Sequence, residues 1–216
     1  MTTIVATSGH LFADKRTTAV TTSPLLNPKT DTTTKIFVPT HKPSFITNPG
    51  TPEEKVSFVE VMAGAGNVKP IQHLIKIIEN SPESLNLIEV FQEYVNNRIN
   101  VFKFSILGLT TEGYIFFFEI GDGVSIRMNE NKNVFWTTGS GVSFDLDETW
   151  EMELSDVKKK FLALCYMDDN STTSYNHYDF ETKTVEECQP TDEVVKEAVD
   201  AFFNPHFYTG PKKIFS

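Results

Sequence analysis

Thr2 follows Met1. If that methionine is removed, Thr2 carries both a hydroxyl and a free α-amine. A hydroxyl is a poor nucleophile until a base takes its proton. An α-amine, with a pKa of about 7.7–8.0, is a suitable base near neutrality. Methionine before so small a residue is readily cleaved, so no propeptide is needed to expose the pair. The chemistry on offer is attack on a carbonyl carbon, which calls for donors to the developing oxyanion. Met62, Ala63, Gly64, Ala65 and Gly66 can supply them, because a glycine-rich strand-to-helix turn lets backbone N–H groups approach closely. Asp168, Asp169, Asn170 and Ser171 form an acidic cluster, but the loop glycine and terminal glutamate of a calcium loop are missing at the needed spacing. Cys165 and Cys188 show no paired spacing, which argues against a disulfide framework or zinc site and fits a reducing compartment. Cys165, within the apolar stretch 161–167, reads as a small core residue.

The elements that must position these groups follow from hydrophobic period. Residues 3–7 and 10–14 are short and apolar and flank Ser8 and Gly9, which predicts a hairpin. A Thr-rich stretch leads to a short strand at 36–38. Residues 39–55 hold four prolines and Gly50, marking a long surface loop or hairpin tip. A strand over 56–62 ends at the glycine-rich segment. Helical spacing then takes over at Val68, Ile71, Leu74, Ile75 and Ile78, and again at Leu87, Ile88, Phe91 and Val95. Strands are expected over 101–109, 114–120, 124–128 and 133–138, a third helix over 154–167, and a strand pair within 175–188. Thr191 is the expected cap of a last helix over 193–203. Runs of strands alternating with helix pairs point to an α+β fold, with two antiparallel sheets face to face and helices outside.

The chain has 216 residues, 39% hydrophobic and 22% charged, which suits one domain with a sizeable core. Its net charge of -10 argues against nucleic acid as a partner. The basic runs at 158–160 and 212–213 read as solvated faces. There is no stretch of 18 apolar residues and no basic-then-apolar leader, so neither a membrane span nor a signal peptide is expected and the cytoplasm is the expected location. No cofactor or metal is called for.

Thr2, Thr3, Ile4, Val5, Ala6, then Phe12, Ala13, Asp14, Lys15, Arg16, Thr17 and Thr18 resemble the opening of proteasome β-subunits and the bacterial HslV peptidase. Four further segments match in order: Lys35 with Ile36, Met62 to Gly66, Gly139-Ser140-Gly141, and Asp168 with Ser171. The resemblance covers about residues 2–185. It implies a four-layer αββα sandwich of the N-terminal nucleophile (Ntn) hydrolase type over 2–190, with an extended loop at 39–55 and an appended helix and irregular tail at 191–216. It implies a threonine-type endopeptidase with Thr2 as nucleophile, Asp14 and Lys35 beside it, and the Gly64 N–H in the oxyanion hole. Ser140 would sit near the nucleophile's amine, oriented by Asp168 and Ser171, with Asn176 and Tyr178 at matching places beyond. The positive charge of Lys35 would lower the proton affinity of the neighbouring amine and hydroxyl. Thr17, Phe37, Met62 and Gly66 would line the pocket for the residue before the cut, with an apolar preference. Polypeptide substrates, a homo-oligomeric ring and an ATP-dependent unfoldase partner are also implied.

Three departures stand out. The stretch between Lys35 and Gly64 is longer than usual, Thr172 and Thr173 replace glycines, and the segment from Glu193 onward has no counterpart. Retained Met1 would acylate the Thr2 nitrogen and remove the base, leaving the alternative of a proteasome-fold protein with a structural or partner-binding role. An Ntn amidohydrolase acting on a small amide ranks below both.

Overall fold

The structure is a computed structural model that describes residues 2–7, 9–18, 29–31, 33–48, 50–81, 85–96, 103–120, 124–130, 135–139, 153–169 and 171–203. In chain order, β1 (Thr3–Thr7), β2 (His10–Asp14), β3 (Thr17–Thr18), β4 (Lys29–Thr30), β5 (Ile36–Phe37), β6 (Ser44–Thr47) and β7 (Lys55–Gly66) lead into α1 (Val68–Asn80) and α2 (Leu87–Asn96). Then come β8 (Phe104–Thr110), β9 (Ile115–Ile120), β10 (Val124–Asn129), β11 (Phe135–Gly139), α3 (Leu154–Met167), β12 (Tyr175–Asp179), β13 (Thr184–Cys188) and α4 (Asp192–Phe203). Ser140, the starts of the strands expected at 101 and 133, and the tail beyond 203 lie outside the described residues.

The fold is mixed α+β. One antiparallel sheet has the order β11-β1-β2-β12-β13, and a second runs β10-β9-β8-β7-β5 with β6 also on β7. Strands β3 and β4 form a separate short pair. The predicted β1–β2 hairpin forms, with Ile4 opposite Ala13. It turns at Gly9, whose φ of 96° favours glycine.

Of the two expectations for 39–55, a surface loop or a hairpin tip, the hairpin forms: β6 pairs with the start of β7, Ser44 opposite Phe58. Phe45, fully buried, anchors it, and the Ser44 N–H donates to the Leu85 carbonyl at 2.8 Å. The glycine-rich segment is strand, not turn. Ala63, Gly64 and Ala65 pair with Leu107, Ile106 and Ser105 of β8. The chain turns only at Gly66 (φ 103°) and at Asn67, whose side chain caps α1 by accepting from the Lys69 N–H at 3.0 Å.

Three clusters make the core. Leu74 and Ile78 of α1 and Leu87 and Phe91 of α2 pack on Met62, Phe104, Ile106, Phe116 and Phe118 of the second sheet. A middle cluster joins Ile4, Ala6, Leu11 and Ala13 of the first sheet to Val61, Ala63, Ala65, Leu107 and Leu109 of the second. On the other side of the first sheet, Val5, Phe12 and Tyr175 meet Val157, Phe161 and Cys165 of α3 and Ala198 of α4. Strands β1 and β8 are therefore covered on both faces, which explains their nearly unbroken apolar sequences. Cys165 is 1% exposed, the core residue its neighbourhood predicts.

Between Val59 and Val61 the β7–β8 register slips by one residue, a bulge that leaves Glu60 unmatched. Val59 joins the helix-side cluster and Val61 the middle one. Glu60 is 4% exposed and accepts from the Tyr178 hydroxyl at 2.9 Å and from Lys42, with Lys183 at 3.3 Å. Tyr178, matched in sequence to the periphery of the site, instead ties the two sheets together. No helix among the described residues is long and apolar enough to cross a membrane.

Candidate active site

The start of β1, the end of β2 and the segment before β5 converge on Thr2, which is 6% exposed. The Lys35 ammonium donates to Thr2 Oγ1 at 2.6 Å, to Asp14 Oδ1 at 3.0 Å and to the Arg16 carbonyl. All three of its N–H donors are thereby used. Asp14, fully buried, also accepts from the Thr3 N–H (2.8 Å) and the Arg16 N–H (2.9 Å). Burial pushes the Asp14 carboxyl up and the Lys35 ammonium down, each opposed by the other's charge and by the hydrogen bond between them. The hydroxyl of Thr2 thus faces a poorly solvated positive charge, which lowers its proton affinity.

Asp168 follows the last turn of α3. Its Oδ2 accepts from the Ser171 hydroxyl at 2.8 Å, and Ser171 Oγ lies 2.8 Å from Thr3 Oγ1. Ser171 has one proton and gives it to Asp168, so Thr3 is the donor in the second bond. The Asp168–Ser171 pair therefore reaches the hydroxyl of Thr3. Ser140 lies outside the described residues. Its neighbour Gly139 is opposite Thr3 in the β1–β11 ladder, with φ of 130°, and a Cβ built on it would sit 1.6 Å from the Thr2 carbonyl oxygen. Only glycine can lie against Thr2 there.

A cavity of about 110 Å³ opens beside Thr2 and Lys35. Thr17 and Gly66, two of the four residues expected to line the substrate pocket, border it, together with Gly64 and with Val68, Ile71, Gln72 and Ile75 of α1. Phe37 and Met62 are not among its lining residues. Met62 is 1% exposed in the helix-side core and Phe37 packs against the same cluster. Position on the strand explains this, because Met62 shares a face with Gly64 and Gly66 but lies deeper under α1, where side chains fill the space.

Three further groups escaped the sequence reading. Thr3 was treated only as part of the opening strand. Asp31 holds the Arg16 guanidinium by a bidentate pair at 2.8 and 2.9 Å, and that pair fixes the residue whose carbonyl receives Lys35. Ile71 shows only helical spacing in the sequence. An acidic residue fifteen positions after Arg16 carries no local signal, and neither does a hydroxyl whose partner is 168 residues away. Among the described residues, no group of three His, Cys, Asp or Glu side chains could hold a metal ion.

No protein-family model matches the chain, and no curated protein does. Solved structures do. An Anbu (ancestral beta-subunit) from Yersinia bercovieri superposes with a TM-score of 0.57 at 14% identity, over 94% of this chain and 93% of that one. An Anbu (Gly-1) mutant from Hyphomicrobium sp. strain MC1 gives 0.56 at 15%, over 94% and 93%. A helical assembly of the Anbu complex from Pseudomonas aeruginosa gives 0.54 at 15%, over 93% and 92%. At such identities the likeness is one of fold. It corrects the assignment drawn from sequence. The chain has the proteasome-like fold of the Anbu proteins, a family distinct from the proteasome β-subunits and HslV that its motifs resemble.

Proposed function

We propose that this protein is a proteasome-fold threonine peptidase that hydrolyses peptide bonds with Thr2 as its N-terminal nucleophile once Met1 is removed. The observation that supports this best is the buried Lys35 ammonium donating to Thr2 Oγ1 at 2.6 Å while held by Asp14. With that lone pair engaged by Lys35, the hydroxyl proton is free to pass to the α-amine. Oγ1 attacks the substrate carbonyl carbon, and the Gly64 N–H stabilises the oxyanion. Collapse of the tetrahedral intermediate breaks the C–N bond. The amine returns the proton to the leaving nitrogen, and an ester to Thr2 remains. The amine then deprotonates water, which hydrolyses the ester and restores Thr2. Asp168, Ser171 and Thr3 hold the first strand in place.

The three clusters support reading the fold as a four-layer αββα Ntn sandwich. The Anbu helical assembly supports a homo-oligomer for this chain too. A polypeptide substrate, delivery by an ATP-driven unfoldase and a cytoplasmic location complete the reading. Intact mass and N-terminal sequencing, repeated after a β-lactone or boronate probe, test it. Loss of Met1 and a stoichiometric Thr2 adduct are expected. A mature protein that keeps Met1 and forms no adduct ends the peptidase reading in favour of a structural or partner-binding role.

A further inference from the structure

The glycine-rich strand has one contact that neither turn geometry nor oxyanion chemistry requires. A Cβ built on Gly64 would lie 2.7 Å from Ile71 Cγ2 and 2.9 Å from Ile71 Cδ1, so the Ile71 side chain rests on the Gly64 backbone. Helix α1 therefore presents two apolar stripes. Pro70, Leu74 and Ile78 are buried in the core. Val68, Ile71 and Ile75, at i, i+3 and i+7, line the cavity beside Thr2. Val68 remains 41% exposed.

The volume and charge of this cavity limit what it accepts. About 110 Å³ is well below the several hundred Å³ of a site for a whole small molecule, and matches one side chain. Its two cations are committed: Lys35 to Thr2, Asp14 and the Arg16 carbonyl, and Arg16 to Asp31. Neither is free to neutralise an acidic side chain, and among the described residues no carboxylate lines the cavity to receive a basic one. An aliphatic side chain loses nothing by entering.

We propose that Ile71 sets the depth of this cleft and restricts it to an aliphatic side chain of valine or leucine size. Its Cδ1 occupies the space over Gly64 that an aromatic ring would need. The identification of the ligand as a peptide rests on the peptidase reading; the size limit rests on the contact alone.

The test is methyl NMR of the full chain, titrated with N-acetyl-leucinamide and N-acetyl-phenylalaninamide. In the unaltered protein the leucine compound shifts the Ile71, Ile75 and Val68 methyls and the phenylalanine compound binds at least about 10-fold more weakly. In Ile71→Ala the ratio moves about 10-fold or more toward phenylalanine. Ile71→Val removes only Cδ1, keeps the Cγ2 contact with Gly64 and moves the ratio part of the way, which keeps the test alive if Ile71→Ala unfolds. Unchanged ratios in both variants, or no methyl shift with either compound, overturn the proposal. If the ratios move as expected while no peptide is cut and Thr2 takes no adduct, the peptidase reading fails and the cleft assignment stands. Cutting of peptides with the same side-chain preference in both variants has the opposite meaning.

Discussion

Lys35 is 7% exposed at its side chain and has no solvent to fall back on. Removing it strands Asp14, whose charge is then opposed only by two backbone N–H groups. Lys35→Met is expected to lower labelling of Thr2 by about 10²-fold or more and to destabilise the fold by about 3 kcal/mol, read from inhibitor mass shift and urea unfolding. Lys35→Arg should not rescue labelling, because a planar guanidinium cannot direct three donors to Thr2, Asp14 and the Arg16 carbonyl at once. Gly139→Ala presses a methyl into the Thr2 carbonyl at a left-handed φ. Its loss of stability should exceed the roughly 1 kcal/mol of an average substitution, and a variant as stable as the parent would show that β11 lies elsewhere.

The pairing of β2 with β12 has a titratable device at its far end. His177 is 4% exposed, stacks on Phe12 at 4.4 Å, and has Nε2 3.1 Å from His10 Nδ1. Burial first, then Lys158 and His10, hold its pKa down at about 4, with Asp179 opposing. His10 is lowered by burial and Lys158 and raised by Asp179 and Glu181. Since the folded pKa of His177 lies below the ordinary histidine value of 6.5, the unfolded chain binds more protons in that interval. Stability is fully present above about pH 6.5 and falls as the pH drops toward 4, by about 3 kcal/mol for this residue. His177→Phe preserves the stack and should flatten that part of the Tm–pH curve; an unchanged slope would refute the assignment.

Legibility also varies element by element. The described helices are readable, because Leu74 and Ile78 or Leu87 and Phe91 recur at helical spacing and Thr191 caps α4, its hydroxyl accepting from the Val194 N–H at 3.5 Å. Strand β6 was not, since its four residues sit among prolines and owe their pairing to Phe45 anchoring in a distant core. The continuation of β7 through Gly64 was hidden as well. Alanine and glycine lack a strong strand preference, and the strand continues there through its pairing with the distant β8. Thr2, Asp14 and Lys35 are singled out through the resemblance of their segments to a known family, whereas Thr3–Ser171 and Ile71–Gly64 depend on long-range proximity with no local pattern.

At the scale of the whole molecule, the two sheets meet through a mixed layer and an acidic strut. Ala6, Ala13, Ala63 and Ala65 sit among Ile4, Leu11, Val61, Leu107 and Leu109 in the middle cluster, so enlarging any of these alanines would push the sheets apart. Tyr178→Phe removes the hydroxyl that Glu60 receives and should cost about 1–2 kcal/mol, measured by urea unfolding. The same substitution should leave Thr2 labelling intact, because the contact lies away from the cleft.

The β7 bulge has a further meaning in terms of insertions and deletions. Val59 and Val61 already point to opposite cores, as adjacent residues of an uninterrupted strand would, and their partners Thr110 and Leu109 are adjacent on β8. Glu60 is therefore a supernumerary residue, absorbed without disturbing the frame on either side. Deleting its codon would leave both hydrophobic patterns in phase and Gly64 in register with Ile106. It would remove only the carboxylate to which Tyr178, Lys42 and Lys183 are tied.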